Sequence, residues 1–230
     1  MIEKTDFETF LYISKNKYQI FVYDKNDLKN LYNKEINVNE EIEFKKLSKF
    51  LDENIYKIEK MINNFIRNII LIIEDDKVLN INISIKKKNY EKYIDQKYLK
   101  NSLIEIKDIF RENYQDRIIM HMVIINNDTN EKLLSNNNDM TDDYLYLEVK
   151  FICILNSSTY IFDKLLENHQ IKIAQYMSGG YVKSFFVEGE FDLSVMANKL
   201  NNGLNKNEVK LVSKNKENKG FFEKFFQLFS

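Results

Sequence analysis

Thr9-Phe10-Leu11-Tyr12-Ile13-Ser14 and Tyr18-Gln19-Ile20-Phe21-Val22-Tyr23 are two apolar, β-branched and aromatic runs separated by the polar link Lys15-Asn16-Lys17. Short runs of this kind around a brief polar link predict two strands in a hairpin. Leu31–Val38 alternates more weakly and predicts a third strand. Next, Phe44, Leu47, Phe50, Leu51, Ile55, Ile58, Ile62 and Phe65 recur at helical spacing, with Lys and Glu on the other face. That pattern predicts an amphipathic helix over about 42–66. Asn68–Ile73 (NIILII) follows as a buried strand, closed by the turn Glu74-Asp75-Asp76. Strands that flank a helix in this order predict an α/β fold with mixed sheets.

The rest of the chain continues the pattern. Val78–Ile85 alternates apolar with Asn and Ser, as a half-buried strand does, and ends in the basic knot Lys86-Lys87-Lys88. Asp95 is placed to cap a helix carrying Leu99, Leu103, Ile106, Ile109 and Phe110. Ile118–Ile125 reads as a strand, Asn126–Asp143 as a mobile hairpin loop, and Tyr144–Leu155 as a long strand. Ser157 or Ser158 is expected to cap a helix through about His169. Ile171–Met177 reads as another strand, Gly179-Gly180 as a turn into a short helix toward Phe186, and Leu193–Leu200 as one more helix. Asn201–Asn218 is polar and lysine-rich, like a flexible linker.

The 230 residues suffice for one large domain or two small ones, and 44% apolar content supplies a core. With 34 basic and 35 acidic residues, the net charge of −1 gives no drive toward nucleic acid. There is no Pro and there are only five Gly, so turns are expected to be built from Asn, Asp and Ser. The single Cys153 lies in an apolar run and reads as a core thiol. No apolar stretch reaches the roughly 20 residues of a spanning helix, and acidic and basic residues break up the amino terminus. A cytoplasmic protein with at most peripheral membrane contact is expected.

The carboxyl end carries the sharpest signal. On a helical wheel Phe221, Phe222, Phe225, Phe226, Leu228 and Phe229 fill an arc of about 160°, with Glu223, Lys224 and Gln227 opposite. A helix of this length is marginal alone in water, and its Phe face must be buried somewhere: at a membrane interface, on the chain itself, or in a partner groove. From Lys206 to Lys224 there are six Lys and three Glu, a local charge of +3. Each basic group near an anionic leaflet contributes about 1 kcal/mol, and this favours the membrane. The expected membrane-binding residues are Phe221, Phe222, Phe225, Phe226, Leu228 and Phe229, with Lys219 and Lys224 meeting headgroups.

Chemistry-bearing residues are sparse. His121 reads as a satisfied histidine on the strand face opposite Met120 and Met122, and His169 as a helix-end residue favourable to the dipole. Glu74-Asp75-Asp76 reads as an acidic turn, Lys86-Lys87-Lys88 as a solvated strand end, and Gly179-Gly180 as a weak phosphate cradle. No Walker loop, dinucleotide fingerprint, nucleophile elbow or zinc pattern is present. The expectation is no catalytic residue, no metal and no cofactor, hence no enzyme.

The order of these elements resembles FtsA, the bacterial actin-like cell-division protein that ties the division ring to the membrane. The resemblance runs over about 8–188 and returns at 219–230. The opening hairpin is similar to the first strands of the actin-like subdomain. Val78–Ile85 resembles the strand that enters the family's inserted subdomain. Ile118-Ile119-Met120-His121-Met122-Val123, the long strand from Leu145 to Ile154, the helix Tyr160–Asn168 and Ile171–Tyr176 follow in the family's order. The Phe-rich end resembles its membrane-targeting helix.

The chain also departs from the family. Ile13-Ser14-Lys15-Asn16-Lys17 stands in place of the first phosphate loop and lacks its Asp and Gly. The second phosphate loop has no counterpart, and the resemblance does not reach the second half of the actin fold, where the family binds FtsZ. The resemblance implies a half actin-like (ribonuclease-H-like) subdomain over 1–75 and an inserted sheet-and-helix interaction subdomain over 76–177. Return helices over 178–200, a linker over 201–218 and the amphipathic helix over 219–230 complete it. It implies a non-catalytic tether at the cytoplasmic face of the inner membrane, at the division site. Anionic lipids and other division proteins, FtsZ aside, would be its partners, and self-association is a further implication. Two rivals stand beside this reading: an actin-like scaffold of a pilus or secretion assembly, and a degenerate ATP-binding protein using Lys15, Lys17 and Gly179-Gly180.

Overall fold

A computed structural model describes residues 6–39, 42–88, 96–127 and 144–210. The expected cap Asp95, most of the 126–143 loop and the Phe-rich end lie outside the described residues. The chain forms two compact units.

The first unit comprises the described residues up to Leu79 together with Ile118–Met120 and Ile154–Leu204. Its centre is a five-stranded sheet of β1 (Phe7–Ser14), β2 (Lys17–Asp24), β3 (Lys29–Asn37), β4 (Asn68–Glu74) and β8 (Lys172–Ser178), in the order β3-β2-β1-β4-β8. β1, β2 and β3 are antiparallel neighbours, and β4 and β8 join in parallel. This is the mixed sheet, part antiparallel and part parallel, that the sequence predicts. The turns use the residues a glycine-poor chain has available. Ser14 Oγ accepts from the Lys17 and Asn16 amides, and Asp24 Oδ1 accepts from the Asn26 amide at 2.8 Å.

Alternation along β1 sends its side chains to two separate cores. Leu11 and Ile13 join Ile20, Val22, Leu71 and Ile73 beneath α1 (Phe44–Ile62) and α3 (Asn156–Glu167). Phe10 and Tyr12 join Phe21, Ile72 and Met177 beneath α4 (Gly179–Lys183) and α5 (Leu193–Asn201). Helices therefore cover both faces of the sheet. α1 buries Leu47, Phe50, Leu51, Ile55 and Ile58. It ends earlier than its periodicity suggests, because Asn63 takes the left-handed conformation (φ 50°) and its amide closes onto the Glu59 carbonyl. Phe65, expected in the core, is 74% exposed as a result. α3 starts directly from the preceding strand, with Leu155 at the cap position and no side-chain cap bond, so neither Ser157 nor Ser158 caps it.

The second unit comprises the described residues of Asn80–Arg117 and His121–Cys153, together with 205–210. A three-stranded sheet, ordered β5-β7-β6, is built from β5 (Leu79–Lys88), β6 (Arg117–Asn127) and β7 (Tyr144–Leu155). α2 (Gln96–Asn113) contributes Leu103, Ile106 and Phe110 to the buried residues, and Phe110 stacks on Phe151 at 4.5 Å between ring centroids.

Two expected boundaries move. β8 and α3 belong to the first unit, not to an inserted 76–177 subdomain, because β8 pairs with β4. The 201–218 stretch is also not wholly a linker. Glu208 bridges antiparallel to Val123, and Val209 donates its amide to the Met122 carbonyl at 2.8 Å.

Candidate functional site

Ligands of open α/β sheets gather at the carboxyl ends of parallel strands. In the first unit these ends are Ser14, Glu74 and Ser178 of β1, β4 and β8. A three-residue cluster stands there. Tyr12 Oη donates to Glu74 Oε2 at 2.6 Å, Lys183 Nζ donates to the same oxygen at 2.6 Å, and Lys183 Nζ lies 3.1 Å from Tyr12 Oη. Nζ also sits 5.1 Å from the centre of the Tyr12 ring.

Burial works against the Glu74 carboxylate, but hydrogen bonds from Lys183 and Tyr12 outweigh it and hold the carboxyl below its ordinary value. Burial likewise opposes the charge on Lys183, and Glu74 reverses the balance, so the ammonium is held above its ordinary value. Burial first, then the bond to Glu74, raises the Tyr12 hydroxyl. The cluster is a closed ion pair with a protonated phenol attached.

Close approach explains Gly179. A Cβ there would lie 3.1 Å from Glu74 Cβ and Oε2 and 3.3 Å from Tyr12 Cε2. Gly180 faces open space. Ser178 caps the turn by accepting from the Tyr181 amide. Of the Gly179-Gly180 step, read as a weak phosphate cradle, Gly179 packs against the Glu74 carboxylate. The other lysines are engaged similarly. Lys15 pairs with Asp76, and Lys17 with Glu35 at 3.2 Å. A groove of about 930 Å³ opens beside the cluster, lined by Tyr12, Lys17 and Lys183 and by Phe186, Phe191 and Met196. Lys199 stands 3.7 Å above the Phe191 ring centre.

The remaining candidates fall elsewhere. Glu74 ends β4 and serves the cluster, and in the turn that follows Asp75 Oδ1 accepts from the Lys77 amide. In the second unit Lys86 lies over the Tyr144 ring and Lys87 pairs with Glu105. His121 is fully buried, its Nδ1 2.8 Å from Glu208 Oε1. Met120 and Met122 are buried as well. His169 Nε2 approaches Asp52 at 3.4 Å. Cys153 is buried, and burial pushes its thiol up against the opposing pull of Arg117. Among the described residues no group of three or more His, Cys, Asp or Glu is placed to hold a metal, and no helix is long and apolar enough to cross a membrane. The expected membrane residues Lys219, Phe221, Phe222, Lys224, Phe225, Phe226, Leu228 and Phe229 lie outside the described residues. Sequence reasoning singled out Glu74 and Gly179 but not Tyr12 or Lys183, which meet Glu74 only through the sheet.

No family model and no curated protein matches the chain. Among solved structures it is similar to the cytoplasmic domain of EpsL, an inner-membrane component of the type II secretion system of Vibrio cholerae (4% identity, 77% of this chain, 59% of that one, TM-score 0.41). It is also similar to a PilM–PilN type IV pilus biogenesis complex (8% identity, 77% of this chain, 49% of that one, TM-score 0.48). A third likeness is to a Bacteroides thetaiotaomicron protein of actin-like ATPase fold and unknown function (13% identity, 80% of this chain, 58% of that one, TM-score 0.34). The chain thus spans about half to three-fifths of the proteins it resembles. These likenesses concern the fold alone.

Proposed function

We propose that this chain is a non-catalytic adaptor: an actin-like scaffold that carries a protein-interaction unit to the inner face of the membrane. The Tyr12–Glu74–Lys183 cluster is the observation that carries the reading. At the strand ends where an actin-like nucleotide engine would present free cations and backbone amides to phosphate, a carboxylate sits against Gly179 and neutralises Lys183. The membrane part rests on the Phe arc of 221–229 and its basic approach. Anionic lipids are the proposed surface, with Lys219 and Lys224 at the headgroups.

Following the FtsA resemblance, the proposed setting is cell division, at the division site, with other division proteins as partners. A scaffold of a pilus or secretion assembly is the second reading, and it shares both the fold and the nearness to the membrane. Gene neighbourhood separates the two: cell-wall and division genes favour the first, pilus genes the second.

The adaptor reading is tested by co-sedimentation with anionic vesicles, comparing wild type with Phe222→Glu/Phe225→Glu. Wild type is expected to pellet and the double variant to stay soluble. If both stay in the supernatant, the Phe face is buried on protein and the tether is wrong.

A further inference from the structure

We propose that the carboxyl end of α1, with the turn that follows it, is a second contact with anionic lipid, one that sets which face of the first unit meets the bilayer. This second contact rests on the membrane reading above and adds a site to it. On a helical wheel Tyr56, Lys60, Lys57 and Met61 fall within an arc of about 140°, and all four are exposed. Ile55 and Ile58 point the other way and are buried. Past the helix the turn is pinned. The Asn64 amide donates to the Glu59 carbonyl at 3.2 Å, Asn64 Oδ1 accepts from the Phe65 amide at 2.9 Å, and Glu59 Oε1 accepts from the Ile66 amide at 3.0 Å. Ile66 is buried and anchors the turn, while Phe65 beside it stands out into solvent. Arg67 is exposed as well, and its carbonyl accepts from the Lys172 amide at 2.9 Å, which fixes its place at the foot of β4.

The cations of this patch are available. The acidic side chains of the helix are engaged elsewhere: Glu53 with Lys49 at 3.9 Å, Asp52 with His169 at 3.4 Å, and Glu59 with the Ile66 amide. Among the described residues Lys57, Lys60 and Arg67 have no carboxylate within salt-bridge distance. Long-stemmed cations around Tyr56, Met61 and Phe65 are the chemistry of a membrane interface, where apolar atoms enter and charged heads stay at the phosphates. Charge complementarity selects anionic lipid over neutral. A groove of about 650 Å³ opens beside Phe65 and Arg67, lined also by Phe7, Ile70 and Ala174. Glu8 lines it too, and Lys25 holds that carboxylate at 3.1 Å. The groove sets an apolar hollow next to a guanidinium, a combination that suits a lipid.

Arg67 precedes β4 and Phe7 opens β1, so the patch lies at the end of the sheet opposite Ser14, Glu74 and Ser178. Contact here leaves the Tyr12–Glu74–Lys183 cluster turned away from the lipid. A single weak anchor binds membranes reversibly, and stable attachment takes a second signal.

The chain has no Trp, so an introduced tryptophan reports its own surroundings. Full chains carrying Phe65→Trp or Val187→Trp are mixed with vesicles of phosphatidylglycerol and phosphatidylcholine. Val187 is exposed and follows α4, which covers the other face of the sheet. Emission from Phe65→Trp is expected to move to shorter wavelength and to be quenched by brominated acyl chains, while Val187→Trp keeps its emission in buffer. Lys57→Gln/Lys60→Gln/Arg67→Gln should weaken co-sedimentation with these vesicles by about tenfold or more. If the Phe65→Trp chain pellets with its emission unchanged, the carboxyl end alone holds the chain. The second contact is then excluded while the tether stands, and an acidic protein is left as the patch's occupant. If Phe65→Trp still shifts in a chain carrying Phe222→Glu/Phe225→Glu, the patch binds lipid by itself and only the tail reading falls. If neither wild type nor the Phe65→Trp chain pellets, both fall. An equal shift at Val187→Trp would also overturn the proposal, because no one face of the unit would then be chosen.

Discussion

The two adjacent glycines at the end of β8 separate sharply on contact geometry. Alanine at 179 forces Glu74 and Tyr12 to shift, because its Cβ would approach both within 3.3 Å; a destabilisation of about 1–3 kcal/mol is expected for this overpacking. Alanine at 180 meets nothing within 4 Å, and it should stabilise by about 0.4–1 kcal/mol through the unfolded chain. Thermal melts of the two variants check the opposite signs. Glu74 itself is testable through pH. Its carboxyl is depressed in the folded state, so its contribution is full above the ordinary carboxylate range and is lost as pH falls through the depressed value. Lys183 is raised, so the same pair weakens again as pH climbs through the raised lysine value. Urea midpoints should show Glu74→Gln less stable than wild type at neutral pH, with the gap closing at both acid and alkaline ends. A gap independent of pH would mean that the ion pair does not contribute.

At the scale of elements, α1 shows how far periodicity reaches. Its buried stripe places Leu51 at 0% exposure and leaves Tyr56, on the other face, at 69%. Leu51→Ala should cost about 2–5 kcal/mol, whereas Tyr56→Ala should stay within about 0.5 kcal/mol; denaturant titration of both distinguishes a core helix from a loosely attached one. Most strands and helices were legible in the same way, because alternation and helical spacing are local signals. The opening hairpin, α1, β4, β5 and β7 all carry them. The carboxyl limit of α1 was not legible, since Phe65 continues the spacing and only the backbone at Asn63 ends the helix. The Asn207–Val209 pairing was hidden because a three-residue bridge in a polar segment shows no alternation; its meaning comes from Met122 and His121, some 87 positions away for the side-chain pair. Tyr12 and Lys183 escaped for a similar reason. Each is ordinary in its own element, and the cluster exists only because β1 and β4 are parallel neighbours and α4 follows β8.

At the scale of the whole molecule, the mixed sheet brings three lysines and three carboxylates to the ends of its parallel strands. β1, β4 and β8 are parallel neighbours, and open α/β sheets receive ligands at the carboxyl ends of such strands. Lys15, Lys17 and Lys183 all stand near these ends, and Asp76, Glu35 and Glu74 pair with them in turn. A triphosphate entering here would have to break ion pairs and approach carboxylates, which raises the cost of binding by electrostatic repulsion. Calorimetric titration of the chain with ATP and magnesium should therefore give no saturable heat. Removing the competing carboxylates by Glu74→Gln/Asp76→Asn should free Lys183 and Lys15, and a measurable heat with inorganic triphosphate is expected from that variant. Saturable binding of ATP by wild type would show that the pairs open on demand, and the degenerate nucleotide-binding reading would then replace the scaffold.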